Sequence, residues 1–418
     1  MLKLYLPLVL ASYPTLAGPL LLNSSAFDTS KFTVTEYAIA SLPLSMLNLG
    51  DGSVAISTAS GIQRFTGPGS TPTTLLAGGG VSTGLVSAGN YLVRGDSTAG
   101  TISILKPGAT PADPLTNVGS LQFSFAAGWW HDSMGIATRP TPGSPGSYDV
   151  VFNVGSQSNA DLPVNTVGLT GLTNATLDGD SLYMVTVDLT HPAPIASNLR
   201  KVATGIRNVV GMGFQSGTGD FYFLDNAIDG PPPTGDEPPQ AEEINRILAA
   251  QLGVGVPLDF GYPTCYIGYR TGSPVGSGCI QPFFAIQPLA NGTALGSESE
   301  GATQFSFAPK FFPAAFNNGM FIGFYGKGTT GVSNEENAVG YYDFTSGKYI
   351  HFVENSQNGV YSPIGIMSTD SALYIADFEG GYVYQITATP EPASMGMLAT
   401  GLLALAVARR RAARNRSR

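Results

Sequence analysis

Two side chains in this sequence stand out for the chemistry they could do. His131 follows Trp129 and Trp130, and Arg207 is followed directly by Asn208. An imidazole has an unperturbed pKa near 6.5, so it takes up and releases protons close to neutral pH. A guanidinium is permanently charged and polarises an oxygen that gains negative charge. Both also have a structural role open to them: His131 as an internally satisfied histidine at a sheet edge, Arg207 as a bridge to backbone carbonyls. Carboxylates crowd the stretch that follows, at Asp225, Asp229, Asp236, Glu237, Glu242 and Glu243. They read as a solvated loop face. Cys265 and Cys279 flank a Gly/Pro-rich loop. In an oxidising compartment a disulfide closing that loop is worth about 3 kcal/mol, while neither the spacing nor any nearby histidine suits zinc.

The compartment follows from the two ends of the chain. Thr389-Pro390-Glu391-Pro392 precedes an uncharged apolar run, residues 393–408, and then Arg409, Arg410, Arg411, Arg414, Arg416 and Arg418. As a helix the run would measure about 24 Å, slightly short of the ~30 Å hydrocarbon core, so it suits a thin or locally adapted bilayer. Arginines stay on the cytoplasmic side, which leaves everything before Pro390 outside. At the N-terminus Lys3, an apolar stretch at 4–10 and Thr15-Leu16-Ala17 before Gly18 form the layout of a secretory signal peptide over residues 1–17. The C-terminal order of parts, 389–418, resembles the PEP-CTERM signal read by exosortases in bacteria that export polysaccharide. That resemblance implies an exosortase-type processing enzyme as partner, contact with the inner membrane at least transiently through a single apolar helix, and a final place at the cell surface or in the extracellular matrix.

The chain between these signals must position the candidate residues. Charged residues are 12% of the sequence, hydrophobic ones 43%, and Gly 53 with Pro 30 indicate many short strands joined by turns. Without the six terminal arginines, 14 bases face 29 acids, a balance that disfavours nucleic acid as a partner. A unit of turn, alternating strand, polar break and second strand recurs six times, with its first strands near residues 53–58, 91–95, 148–155, 221–226, 320–325 and 372–377. One such pair cannot bury both faces, and radial closure removes exposed sheet edges. The pattern predicts an all-β fold, a six-bladed β-propeller. A large β-sandwich or two β domains is the alternative architecture.

Within this repeat, Ile206-Arg207-Asn208 with Gly211-Met212-Gly213-Phe214 and Leu224-Asp225-Asn226 resembles the glucose/sorbosone dehydrogenase family. Glu242-Glu243-Ile244-Asn245-Arg246, the segment Asp259-Phe260-Gly261-Tyr262-Pro263-Thr264-Cys265-Tyr266, and Trp129-Trp130-His131 before Gly135-Ile136-Ala137 add to the likeness, which spans residues 32–386. These are soluble six-bladed propellers that oxidise sugars with pyrroloquinoline quinone (PQQ). The resemblance implies that His131 is the general base toward the sugar's anomeric hydroxyl, that Arg207 polarises the quinone oxygen, and that Asn208 binds the cofactor beside it. It implies calcium held by the backbone carbonyls of Ala227 and Ile228, with Asp229 adding a carboxylate. The chain departs from the family at the calcium turn, where Ala227-Ile228 replaces Gly-Pro, and before the sixth blade, where Ser362-Pro363 replaces Arg-Pro. In the fifth blade, Tyr325-Gly326-Lys327-Gly328-Thr329-Thr330 replaces a His-Gly-Ser-Trp-Asn-Arg run. Lys327, otherwise a solvated turn residue, is the nearby cation left for the cofactor's carboxylates. Two functions follow: an exported sugar dehydrogenase, or a non-catalytic propeller that binds polysaccharide or protein in the matrix.

Overall fold

The computed structural model describes residues 20–160, 164–229, 239–287, 301–325, 339–353 and 362–390. The expected signal peptide, the C-terminal apolar helix with its arginines, and Lys327 lie outside them. Helical structure among the described residues is limited to two 3₁₀ turns, Thr29–Lys31 and Ala314–Phe316. No helix among them is long and apolar enough to cross a membrane.

Six sheets form the blades. Their innermost strands are Met46–Asn48, Ser82–Ala88, Ile136–Pro140, Met212–Phe214, Ala302–Phe307 and Gly365–Ser368. Each innermost strand packs against that of the next blade, and the last packs against the first, so the ring is closed. The second strands Val54–Thr58, Phe221–Asp225, Gly319–Phe324 and Ala372–Asp377 are buried along their whole length, because neighbouring blades cover both faces. That is why apolar residues such as Phe221 and Phe223 share these strands with small or polar ones rather than alternating with exposed ones.

Two blades are larger than the repeat predicts. The second has six strands, because the hairpin Thr166–Gly171 and Ala175–Asp178 pairs with its outer strand Thr116–Ser124. The third gains Leu258–Asp259 in parallel with the end of Ile195–Thr204. The sixth is completed by the N-terminal strand Phe32–Ile39, which pairs with Tyr382–Ala388 from Phe32↔Ala388 to Ile39↔Tyr382. Phe27, Phe32, Phe312, Phe316, Phe321 and Phe352 pack ring against ring around this seam. Cys265 and Cys279 are joined by a disulfide with 6.3 Å between their Cα atoms, across the hairpin Tyr266–Ile267 and Pro274–Val275.

The junctions between blades define one end of the molecule. A Cβ added to Gly95 would stand 2.0 Å from the Met134 carbonyl oxygen, and one on Gly135 2.5 Å from that of Val209. The same holds for Gly211 against Thr303, at 2.7 Å, Gly323 against Pro363, at 2.4 Å, and Gly365 against Leu44, at 2.1 Å. At the remaining junction the Ser45 hydroxyl donates to the Ser82 carbonyl over 2.8 Å. Every one of these contacts involves the start of an innermost strand or the end of the second strand paired with it. All six therefore lie at the same end, called here the mouth.

These approaches leave no room for a methyl group backed by backbone, and overpacking of this kind costs about 1–3 kcal/mol. Gly365→Ala is expected to lower the thermal midpoint by several degrees. Gly67→Ala, whose added Cβ would meet nothing within 4 Å, is expected to leave it unchanged. A Gly365→Ala melting curve that overlays the parent would refute the tight ring.

Candidate functional site

The candidate residues gather at the mouth between blades three and four. His131 lies in the segment leading to Ile136–Pro140, and Ser156 follows the paired strand Ser147–Val154. Arg207 and Asn208 lead into Met212–Phe214, while Asn226, Ala227, Ile228 and Asp229 follow Phe221–Asp225. The His131 amide donates to the Ser156 carbonyl at 3.3 Å, and the Ser156 amide donates to the Arg207 carbonyl at 2.8 Å. Residues 131, 156 and 207 thus lie side by side. Gly155 permits this, since a Cβ there would fall 2.6 Å from the His131 carbonyl oxygen and 3.0 Å from that of Arg207.

His131 is buried, and its ring position is set by Ser156. Its Nδ1 is 3.0 Å from the Ser156 carbonyl oxygen and 2.7 Å from the Ser156 Oγ. A carbonyl can only accept, and the Ser156 hydroxyl already donates to the Ser158 carbonyl at 2.6 Å. The proton of the neutral ring is therefore on Nδ1, and Nε2 carries the free lone pair. Burial, and secondarily the nearby Arg207 charge, hold the imidazole well below its ordinary pKa of 6.5, against a smaller opposing pull from the Ser156 backbone. The ring is neutral at physiological pH.

Arg207 is also buried, and held on three sides. Its backbone N–H donates to both carboxylate oxygens of Asp225 at 3.0 Å. Nε donates to the Asn159 carbonyl at 3.1 Å and Nη2 to the Asn159 Oδ1 at 2.7 Å. Nη2 also pairs with the Asp229 carboxylate at 2.9 Å. Among the described residues these bonds run from Nε and Nη2 and leave Nη1 for another acceptor. Asn208 is fixed likewise: its Nδ2 donates to Asn226 Oδ1 at 2.9 Å and its Oδ1 accepts from the Ser133 hydroxyl at 2.7 Å. Asn226 in turn donates to Glu242 at 2.9 Å and to the Ala302 carbonyl at 2.7 Å, tying blade four to blade five.

Three carboxylates of the acidic stretch are not solvated. Asp225, Glu242 and Glu243 are almost fully buried, because they sit on the second and third strands of blade four, where both faces are covered. Burial raises Asp225 to about 6, opposed by backbone N–H bonds from Asn208 and Arg207 and by the Arg207 charge. Burial raises Glu242 to about 8. Glu243 also rises to about 8, through burial and then the Asp225 charge. Glu243 Oε1 and Asn245 Oδ1 are buried without a partner among the described residues, while Asn245 Nδ2 contacts Glu243 Oε2 at 3.4 Å. Asp236 and Glu237 lie outside the described residues.

Ala227 and Ile228 form the buried turn expected to offer carbonyls to calcium. Asp229, expected to add a carboxylate, spends it on Arg207. Ser362, standing where the family resemblance places a basic residue, is fully buried, with its N–H bonded to Asp377 at 2.8 Å and its hydroxyl near the Tyr325 carbonyl at 3.5 Å. Three side chains that organise the site were not singled out from sequence: Ser156, Asn159 and Tyr262, whose hydroxyl donates to the Asn159 carbonyl at 2.9 Å. Their one sequence signal is position, a polar run directly after a buried strand and a Gly-aromatic-Pro loop.

Residues 388–411 match the PEP-CTERM protein-sorting motif. No curated protein matches the chain in sequence. Among solved structures, the holo form of the PQQ domain of pyranose dehydrogenase from Coprinopsis cinerea is similar, with a TM-score of 0.62 at 14% identity, covering 90% of this chain and 98% of that one. The iodide structure of a Trichoderma reesei protein of carbohydrate-active enzyme family AA12 gives a TM-score of 0.60 at 14% identity, with the same coverage. A glucose dehydrogenase gives 0.52 at 13% identity, covering 86% of this chain and all of that one. The chain is a six-bladed β-propeller with the fold of these structures, and it carries a PEP-CTERM sorting signal.

Proposed function

We propose that this protein is an exported, membrane-sorted sugar dehydrogenase that works with PQQ and calcium at the mouth of the propeller. The observation that carries the reading is the pair of Ser156 contacts at His131: they place the proton on Nδ1 and leave Nε2 without a partner among the described residues, on a ring held well below its ordinary pKa. That is the state a general base needs before reaction. His131 Nε2 would take the proton of a sugar's anomeric hydroxyl, while the Ser156 contacts keep the ring from turning. PQQ, when bound, supplies the acceptor for the hydride that leaves the same carbon.

The donor set fits one edge of such a planar, polyanionic group. Arg207, through Nη1, and Asn208 would hold its quinone oxygens, and Lys327 would face its carboxylates. The carbonyls of Ala227 and Ile228 would take calcium, with Asp229 joining them if it gives up Arg207. A non-catalytic propeller that binds polysaccharide or protein is the second reading. It is favoured by the burial of Ser362, which puts no cation at that wall, and by the compensation of the Arg207 charge by Asp229.

The assay adds PQQ and calcium to the purified protein and follows dye reduction across a panel of aldoses. His131→Ala is expected to lower kcat/KM by about 10²–10⁴-fold. Ser156→Ala keeps the carbonyl contact and loses the hydroxyl one, worth about a tenfold loss. Since His131 titrates well below 6.5, the acid limb of the pH profile should lie well below that value too. Wild-type protein that is inactive on the whole panel would favour the binding module.

The buried acids add a stability signature. Glu242 and Glu243 are raised, so the native state holds more protons than the unfolded chain between about 4.5 and 8. Their contribution is complete below the lower value and is lost as pH rises through the upper one. His131 and His351, whose pKa is lowered to about 4, oppose this only below 6.5. Between pH 6.5 and 8, stability should therefore fall with rising pH, by up to about 1.4 kcal/mol per pH unit for each acid. Melting curves should show this slope, and Glu242→Gln should flatten it. A thermal midpoint that rises over this range would contradict protonated acids in the native state.

A further inference from the structure

The sorting segment leaves the propeller at a defined place, and that place orients the molecule. In the sixth blade Tyr382 pairs with Asp377 at the mouth, and Thr387 pairs with Ala372 at the opposite end. The strand Tyr382–Ala388 therefore runs from the mouth to the far face, about 20 Å at the usual rise per residue. The exit is pinned there: the Thr389 amide donates to the Lys31 carbonyl at 2.8 Å, and its hydroxyl lies 3.2 Å from that of Thr33.

From Pro390 to Ala393, where the apolar run begins, there are three residues. Fully extended they reach about 10 Å. The headgroup layer occupies about 5–7 Å on each side of the hydrocarbon. The apolar run cannot lend residues to lengthen this tether, since residues 393–408, were they helical, would measure about 24 Å, already shorter than the ~30 Å core. The far face also presents Phe311, 68% exposed, beside this exit. Its amide donates to the Asp370 carbonyl, and Phe312 next to it packs on Phe32, the partner of Ala388. An exposed apolar ring beside a bilayer gains by burial at the headgroup–acyl boundary. Nearby Lys31 and Lys310 are balanced by Asp28 and Asp370, so the tether and Phe311 set the contact rather than charge.

We infer that, while the sorting segment is held in a bilayer, the far face of the propeller rests on the lipid headgroups and the mouth with His131 and Arg207 opens about 20 Å further into the aqueous phase. The inference rests on the reading of residues 389–418 as a membrane-held sorting segment. It does not depend on catalysis.

The test uses the full chain reconstituted in phosphatidylcholine–phosphatidylglycerol vesicles with headgroup spin-labelled lipid. An environment-sensitive fluorophore is attached through Ser371→Cys, on a far-face turn, or through Ser60→Cys, in an exposed mouth hairpin. The native cysteines are paired and do not compete. The expected result is loss of most fluorescence at position 371 and none at position 60. Inserting about 20 Gly/Ser residues after Thr389 lengthens the tether to roughly 25 Å and should abolish the difference. Equal quenching at both positions, or stronger quenching at 60, overturns the orientation while leaving the anchor intact. Protein that fails to float with the vesicles overturns the anchor, and the orientation with it.

Discussion

The close approach of backbone to backbone at the mouth is the constraint on which the rest of this molecule depends. Six strand starts meet there with carbonyl oxygens so near their neighbours that several positions admit no Cβ. Only a ring closed this tightly brings the loop before one blade against the loop after the second strand of the blade before it. His131, Ser156 and Arg207 are neighbours for that reason, although 25 and 51 residues separate them in sequence. The same closeness expels water, so the polar groups lining the ring must satisfy one another.

How they do so explains the charge arrangement. Asp225 accepts from the Arg207 and Asn208 amides, and its charge stands beside the Arg207 guanidinium. Burial keeps protons on Glu242 and Glu243, and at Glu243 the neighbouring Asp225 charge adds to the effect. A buried network of this type contributes little to net stability but penalises every arrangement that leaves a member unpaired. It fixes the loops after the strands of blade four and, through Asn159, the loop after the second strand of blade three.

Much of the fold was legible because the repeat is local. In Thr369–Ile386 the turn, strand and return strand are specified within 18 residues and in Gly217–Ile247 within 31, and the structure places strands at both. The insertions were not legible. The hairpin Thr166–Gly171 and Ala175–Asp178 follows one blade's strand yet completes another's sheet, which no local pattern records. The carboxylates misled for a physical reason. Asp, Glu and a Gly/Pro-rich neighbourhood ordinarily mean solvent, but a blade strand covered on both faces buries whatever it carries, and Glu242 and Glu243 sit side by side on such a strand. The site residues were legible as types, His131 and Arg207 above all. Their restraint by Ser156, Asn159 and Asp229 was not, since it depends on which loops the ring brings together.

The seam in the sixth blade ties this architecture to export. Among the described residues Phe32–Ile39 pairs with Tyr382–Ala388, about 350 residues later, so the ring cannot close until nearly the whole chain is available. Contacts this distant in sequence form slowly, because loop-closure entropy must be met before the pairing stabilises anything. The apolar run that begins at Ala393 follows the closing strand by only a few residues. A segment held in the bilayer would keep that last strand from diffusing away while the first one docks, lowering the entropic cost of the closing step. With the sorting motif directly after the final strand, a membrane-held segment would couple two events: the ring would become complete at the point where the chain is committed to the membrane.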